Sequence, residues 1–170
     1  RHASNDDSFK YLFLVSREVG EVLKKWGLSE YKVLTPSPSK SIDSRKKILT
    51  LENKYSPDLV YTMAGPAYVR FKSKHILGNS DPYVSHAPFG MFFFRRNILQ
   101  GLFLLISIFY KAFYIRFFAE KWIFQTEYSR SKFIKKYFVK KENTYVVPNA
   151  IGDEFVESLK KDEDTIIQED

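Results

Sequence analysis

Lys121–Ile151 reads KWIFQTEYSRSKFIKKYFVKKENTYVVPNAI, and its hydrophobic period changes twice. Lys121–Thr126 is a compact apolar run of strand length. From Glu127 to about Phe138 the spacing turns helical, with Ile134, Tyr137 and Phe138 on the apolar face and Thr126 as N-cap. Thr144–Pro148 is again extended. Strand, helix and strand in about thirty residues is the repeating unit of a parallel sheet, whose neighbours need a crossover of a dozen residues or more.

Upstream the scheme recurs. Lys10–Ser16 (KYLFLVS) has strand length, and Arg17–Trp26 then places Val19, Val22, Leu23 and Trp26 at helical spacing. Tyr31–Pro36 repeats the strand signal. Pro36 and Pro38 block a helix until about Ser41; Ser44–Tyr55 then sets Ile48, Leu51 and Tyr55 on one face, with Pro57 just past its end. Asp58–Met63 (DLVYTM) is a third strand of this kind, and HILG (75–78) and PYVSH (82–86) are short extended candidates. The strands are near-continuous apolar runs, the pattern of a sheet covered on both faces. The fold class expected is therefore α/β, a Rossmann-like, doubly wound, mostly parallel sheet with helices on both faces.

The 170 residues suffice for one domain with a real core, and 44% apolar with 17% aromatic content excludes disorder as a reading of most of the chain. Cysteine is absent, which removes disulfides and thiolate chemistry. The net charge of +7 is unevenly spread. From Asp153 onward there are eight acids against Lys160 and Lys161, leaving 25 bases and 12 acids in residues 1–152. That divides the chain into a basic domain, 1–152, and an acidic linker or tail, 153–170. A basic body attracts anionic surfaces and phosphorylated ligands. His2 and His75 lack partners at metal-ligand spacing, and Asp162–Asp164 (DED) sits in the acidic tail as solvated charge, so no metal is expected. The opening RHASNDD has neither an initiator methionine nor a signal-peptide pattern. A segment of a longer cytoplasmic protein is the expectation.

Phe89–Phe118 is strongly apolar. Its longest uncharged run, Asn97–Tyr110, is fourteen residues, short of the ~20 that cross a bilayer. Basic residues flank it. Arg95, Arg96, Leu102, Leu105, Phe109 and Lys111 are accordingly candidates to face an anionic membrane, and a helix buried against the sheet is the alternative. Both stay open at the level of sequence.

Two segments carry a family resemblance. Gln125-Thr126-Glu127, then a helix, then Val146-Val147-Pro148-Asn149-Ala150-Ile151-Gly152-Asp153 resembles the end of the N-terminal domain of retaining, nucleotide-sugar-dependent glycosyltransferases of the GT-B type (family-4-like), which commonly show QTE and VVPNGID; Ala150 replaces the usual glycine. Ser56–Pro82 (SPDLVYTMAGPAYVRFKSKHILGNSDP) is similar to the family's DVVFT strand and GPxYxR loop. The match spans about residues 9–155. It implies half of a two-domain architecture, the acceptor-binding half, without the family's usual first strand, which lies centrally in the sheet. A C-terminal domain would bind the nucleotide-sugar donor; no other cofactor is implied.

The resemblance also implies a site. Ligands of open α/β sheets bind at the carboxyl edge, and His86 corresponds to a histidine facing the cleft in many relatives, able to polarise an acceptor hydroxyl. Gly65, Pro66, Tyr68 and Arg70 are candidates for acceptor binding. Thr126, Glu127 and Asn149 are candidates for the cleft or hinge. The implied activity is hexosyl transfer to a saccharide or lipid-linked acceptor, with peripheral contact at the inner face of a membrane. The basic helix face from Arg130 to Lys141 interleaves Phe133, Tyr137 and Phe138, but inward-turned aromatics do not stack bases, so nucleic acid is not expected. The rival is a non-catalytic Rossmann-like module that binds anionic lipid or a phosphorylated ligand.

Overall fold

A computed structural model describes residues 10–148 apart from Ser29, Ala64 and Arg95. In chain order the elements are β1 (Phe13–Val15), α1 (Arg17–Lys25), β2 (Tyr31–Val33), α2 (Ile42–Tyr55), β3 (Leu59–Thr62), β4 (Lys74–Gly78), α3 (Pro82–Ser85), α4 (Ile98–Phe117), β5 (Lys121–Phe124), α5 (Glu127–Tyr137) and β6 (Thr144–Val146). Turns of 3-10 helix occupy Phe89–Phe92 and Lys141–Asn143. Every ladder among the described residues is parallel. The class is α/β with Rossmann-like parallel pairing.

In place of one continuous sheet, the described strands form two: a pair, β1-β2, and a four-stranded sheet in the order β3-β4-β5-β6. β1 and β3 are each paired on one side only. Burial follows the break. β4 and β5 alternate buried and partly covered positions, whereas β1, β2 and β3 have no fully buried residue. Their apolar runs promised cover on both faces; Phe13, Leu14, Val33, Leu59 and Tyr61 are exposed instead.

The core lies on the four-stranded side. Leu77 of β4, Val84 of α3, Ala112 and Ile115 of α4, Trp122 and Phe124 of β5, and Phe133 of α5 form one buried cluster. Phe133 lies between the rings of Trp122 and Phe124, with centroids 5.9 and 5.0 Å away. The Trp122 indole, buried with them, donates to Ile115 O at 2.8 Å, so no polar atom of the ring is stranded.

Helix starts follow their caps. Ser16, Ser41, Asn97 and Thr126 each accept a backbone N–H from the first turn of the helix they precede. Which face is buried departs from expectation in three helices. α1 buries Gly20, where even a Cβ would press on the Tyr31 ring, and leaves Val19, Val22 and Trp26 exposed. α2 buries Ile48 together with Ser44, whose Oγ donates to Pro36 O, and Glu52, which accepts two backbone N–H groups from Lys72 and Ser73, while Tyr55 in its last turn is exposed. In α5 the deepest residue is Phe133, while Phe138, expected inside, caps the helix with a left-handed backbone and is 88% exposed. PYVSH is not extended: Asp81 accepts the Tyr83 N–H, Pro82 occupies the first helical position, and one turn of helix results.

Candidate functional site

Because β3 to β6 are parallel, the loops after β3, β4 and β5 open on one edge of the sheet. The loop after β3 contains Gly65 at φ 144°, a conformation that side-chain-bearing residues avoid. Tyr68, also at positive φ, does not offer a free face. Its ring stacks on Tyr110 and leans on Tyr114, with centroids 5.7 and 5.2 Å away, and the Arg45 guanidinium lies 5.3 Å from its centre. Burial and the neighbouring Tyr110 raise the pKa of the Tyr68 hydroxyl, with Arg45 opposing. Arg45 also donates to Pro38 O and Ser39 O, tying α2 and the loop before it to α4. Pro66 is half-buried and Arg70 exposed.

The loop after β4 is held by polar contacts. Asn79, almost wholly buried, continues the ladder through its N–H to Ile123 O and donates from its side chain to Ser85 Oγ at 2.9 Å. Asp81 caps α3 with one carboxylate oxygen and accepts Lys111 Nζ at 2.6 Å with the other. Lys111, a candidate for membrane contact, is therefore turned inward to this ion pair. Lys136 and the Tyr137 hydroxyl both donate to Val84 O. Burial lowers the pKa of Lys136 and pushes Tyr137 up to about 12.

His86 follows α3. Its ring meets Tyr128 of α5 edge to face at 5.1 Å, and its buried Nδ1 has no hydrogen-bond partner among the described residues. A buried ring nitrogen without a partner costs free energy. A ligand hydroxyl that reached it would supply the missing bond. Across the edge, Thr126 caps α5, and Glu127 is held by Arg130 at 2.8 Å, which in turn donates to Thr144 Oγ1.

The structure thus brings His86 beside the first turn of α5, and Gly65 within reach of Lys111. Thr126 and Glu127 have structural partners of their own. Asn149 and Arg95 lie outside the described residues. Leu102 and Phe109 are exposed, whereas Leu105 is partly covered. No group of acids and histidines among the described residues could hold a metal ion. His75 is buried, bonded to Phe118 O and Thr62 Oγ1, and burial lowers its pKa; its role is structural.

Sequence reasoning did not single out Arg45, Glu52, Asn79, Asp81 or Tyr128. Asp81 had a usable signal, since an aspartate before a proline marks a helix start. Lys111 had another, being a charge inside an apolar helix, where a partner is required. Comparisons with protein-family models, curated proteins and solved structures find no match to this chain.

Proposed function

We propose that this chain is the acceptor-side half of a retaining, two-domain GT-B glycosyltransferase that moves a hexose from a nucleotide sugar to a saccharide acceptor, lipid-linked or at the cell surface. The observation that carries the reading is the unpartnered, buried Nδ1 of His86 at the carboxyl edge, beside the exposed ring of Tyr128. Such an edge is where open α/β sheets bind ligands. The GPAYVR, QTE and VVPN segments support it through the family resemblance.

In this reading His86 hydrogen-bonds an acceptor hydroxyl and orients it toward the anomeric carbon. Tyr128 offers a flat face to the sugar ring. The donor is held mainly by a second domain, so the 170 residues alone do not turn over.

The test is transfer by the full-length protein from a panel of nucleotide hexoses to saccharide and lipid-saccharide acceptors, read by mass spectrometry. His86→Ala is expected to lower kcat/KM by about 10²–10⁴-fold while the melting curve stays in place. Transfer at the wild-type rate by that variant removes His86 from the mechanism. Absence of transfer from any nucleotide sugar, with tight binding of a phosphorylated ligand, favours the non-catalytic module.

A further inference from the structure

The face of α4 turned away from the core carries Ile98, Leu99, Phe103, Ile106, Phe109 and Phe117, exposed between 59% and 79%. The buried stripe is narrow: Gly101, Ala112 and Ile115. The helix therefore rests on the body by small residues and presents its bulk to the outside. The preceding 3-10 turn extends the patch with Phe89 and Met91, and is held to α4 because Phe93 packs where a side chain at position 101 would be. Twenty residues give a face ~30 Å long, far more apolar than a water-facing helix surface.

Charge separates the possible occupants. No Asp or Glu occurs between Asp81 and Glu120, whereas Arg95, Arg96, Lys111 and Arg116 do. Lys111 is paired with Asp81, and Arg116 donates to Tyr137 O while its guanidinium lies over the ring of Phe117, so the outer face of α4 carries charge only near its two ends. Arg96 is exposed at the start of the helix. A second copy packed on α4 in register would set Arg96 against Arg96, with no acid on the helix to pair it. Crossing a bilayer is open to α4 by length and composition, since Lys111 interrupts the apolar run without ending the helix. It would, however, pull Ile115 and Ala112 out of the core and break the bonds of Trp122 and Lys111.

We propose that α4 and its preceding 3-10 turn dock into the interface of an anionic phospholipid bilayer, with the helix axis in the membrane plane. The apolar side chains reach ~5–10 Å into the boundary between headgroups and acyl chains. The basic body faces the lipid phosphates. This location does not depend on the reaction proposed above, because binding is read without substrate; failure of transfer leaves it standing.

The experiment is co-sedimentation of the full-length protein with vesicles of phosphatidylcholine, alone or with phosphatidylglycerol added. The wild type is expected in the pellet with the anionic vesicles. The triple variant Ile98→Ser, Phe103→Ser, Phe109→Ser, checked for folding by its melting curve, is expected to bind at least about tenfold more weakly. These 170 residues have no cysteine, so a second arm labels one introduced position, with any cysteine elsewhere in the protein replaced by Ser: Phe103→Cys carrying an environment-sensitive dye should shift to the blue on vesicles, and Lys24→Cys on α1 should not. That arm decides the matter if the triple variant fails to fold. The proposal is overturned if the wild type stays in solution, if equal binding to neutral vesicles removes the anionic assignment, or if the dye at position 103 stays aqueous on bound protein. A dimer that the triple variant dissociates, without vesicle binding by either form, would assign the face to a second copy.

Discussion

The β1-β2 pair and the β4-β5 pair share parallel pairing and apolar strands, yet only the second is a core. Phe13, Leu14 and Val33 are 36–50% exposed, while Leu77 and Phe124 are wholly buried. What differs is the helix laid on each pair. α5 brings an aromatic ring between Trp122 and Phe124, and α4 adds Ala112 and Ile115 beside them. α1 meets Tyr31 with a glycine and turns its valines outward. An apolar strand is thus only a request for cover, and the covering side chain decides whether burial follows.

The sharpest way to break this contrast is to remove one side chain on each side. Phe133→Ala should cost about 3–5 kcal/mol in chemical denaturation, whereas Val19→Ala on α1 should stay within about 0.5 kcal/mol. Equal losses would mean that the β1-β2 layer is as well packed as the other. Next in size is Lys111→Met, which strands the Asp81 carboxylate over α3 and should cost about 2 kcal/mol; an unchanged denaturation midpoint would reduce the ion pair to a surface contact.

A smaller effect carries a pH signature. Tyr137 has its pKa raised to about 12 from 10.0, so between those values the unfolded chain releases a proton that the folded one keeps. Stability therefore falls as pH rises through that window. Tyr137→Phe should cost about 1 kcal/mol at neutral pH, through the lost bond to Val84 O, and should flatten the slope between pH 10 and 12. A slope that survives the substitution would lie with another group. The smallest change should be a gain. Phe138 is 88% exposed at φ 52°, so Phe138→Gly relieves a left-handed strain at little packing cost. It should raise stability by about 0.5–1 kcal/mol, and a loss would show that the ring has a packing role.

What was legible in the sequence divides along the same line. The Lys121–Pro148 unit could be read because its signals are local: the cap at Thr126, the helical spacing, the change back to period two. The helix starts after Pro36, Pro38 and Ser41 were legible for the same reason. Which side of a helix is buried was not, because it depends on partners distant in sequence. Glu52 is inside because the Lys72 and Ser73 amides point at it, and Phe138 is outside because the chain reverses there. At the candidate site, His86 was singled out through the family resemblance. Its neighbour Tyr128, one tyrosine among eleven, was visible only once the loop after β4 met α5. The separation of the β1-β2 pair from the four-stranded sheet, and the exposed strands that go with it, had no signal in the apolar runs themselves.

That break has a consequence for how the molecule opens. Amide protons of β4 and β5 lie between neighbours on both sides and over the shared core, so deuterium should replace them only when the whole fold comes apart. Those of β1 and β2 are held by a single short ladder of three residue pairs, and should be replaced through brief local opening, many times for each global event. The chain would then behave as two cooperative units of unequal lifetime, with the weaker one melting and re-forming beside an intact neighbour.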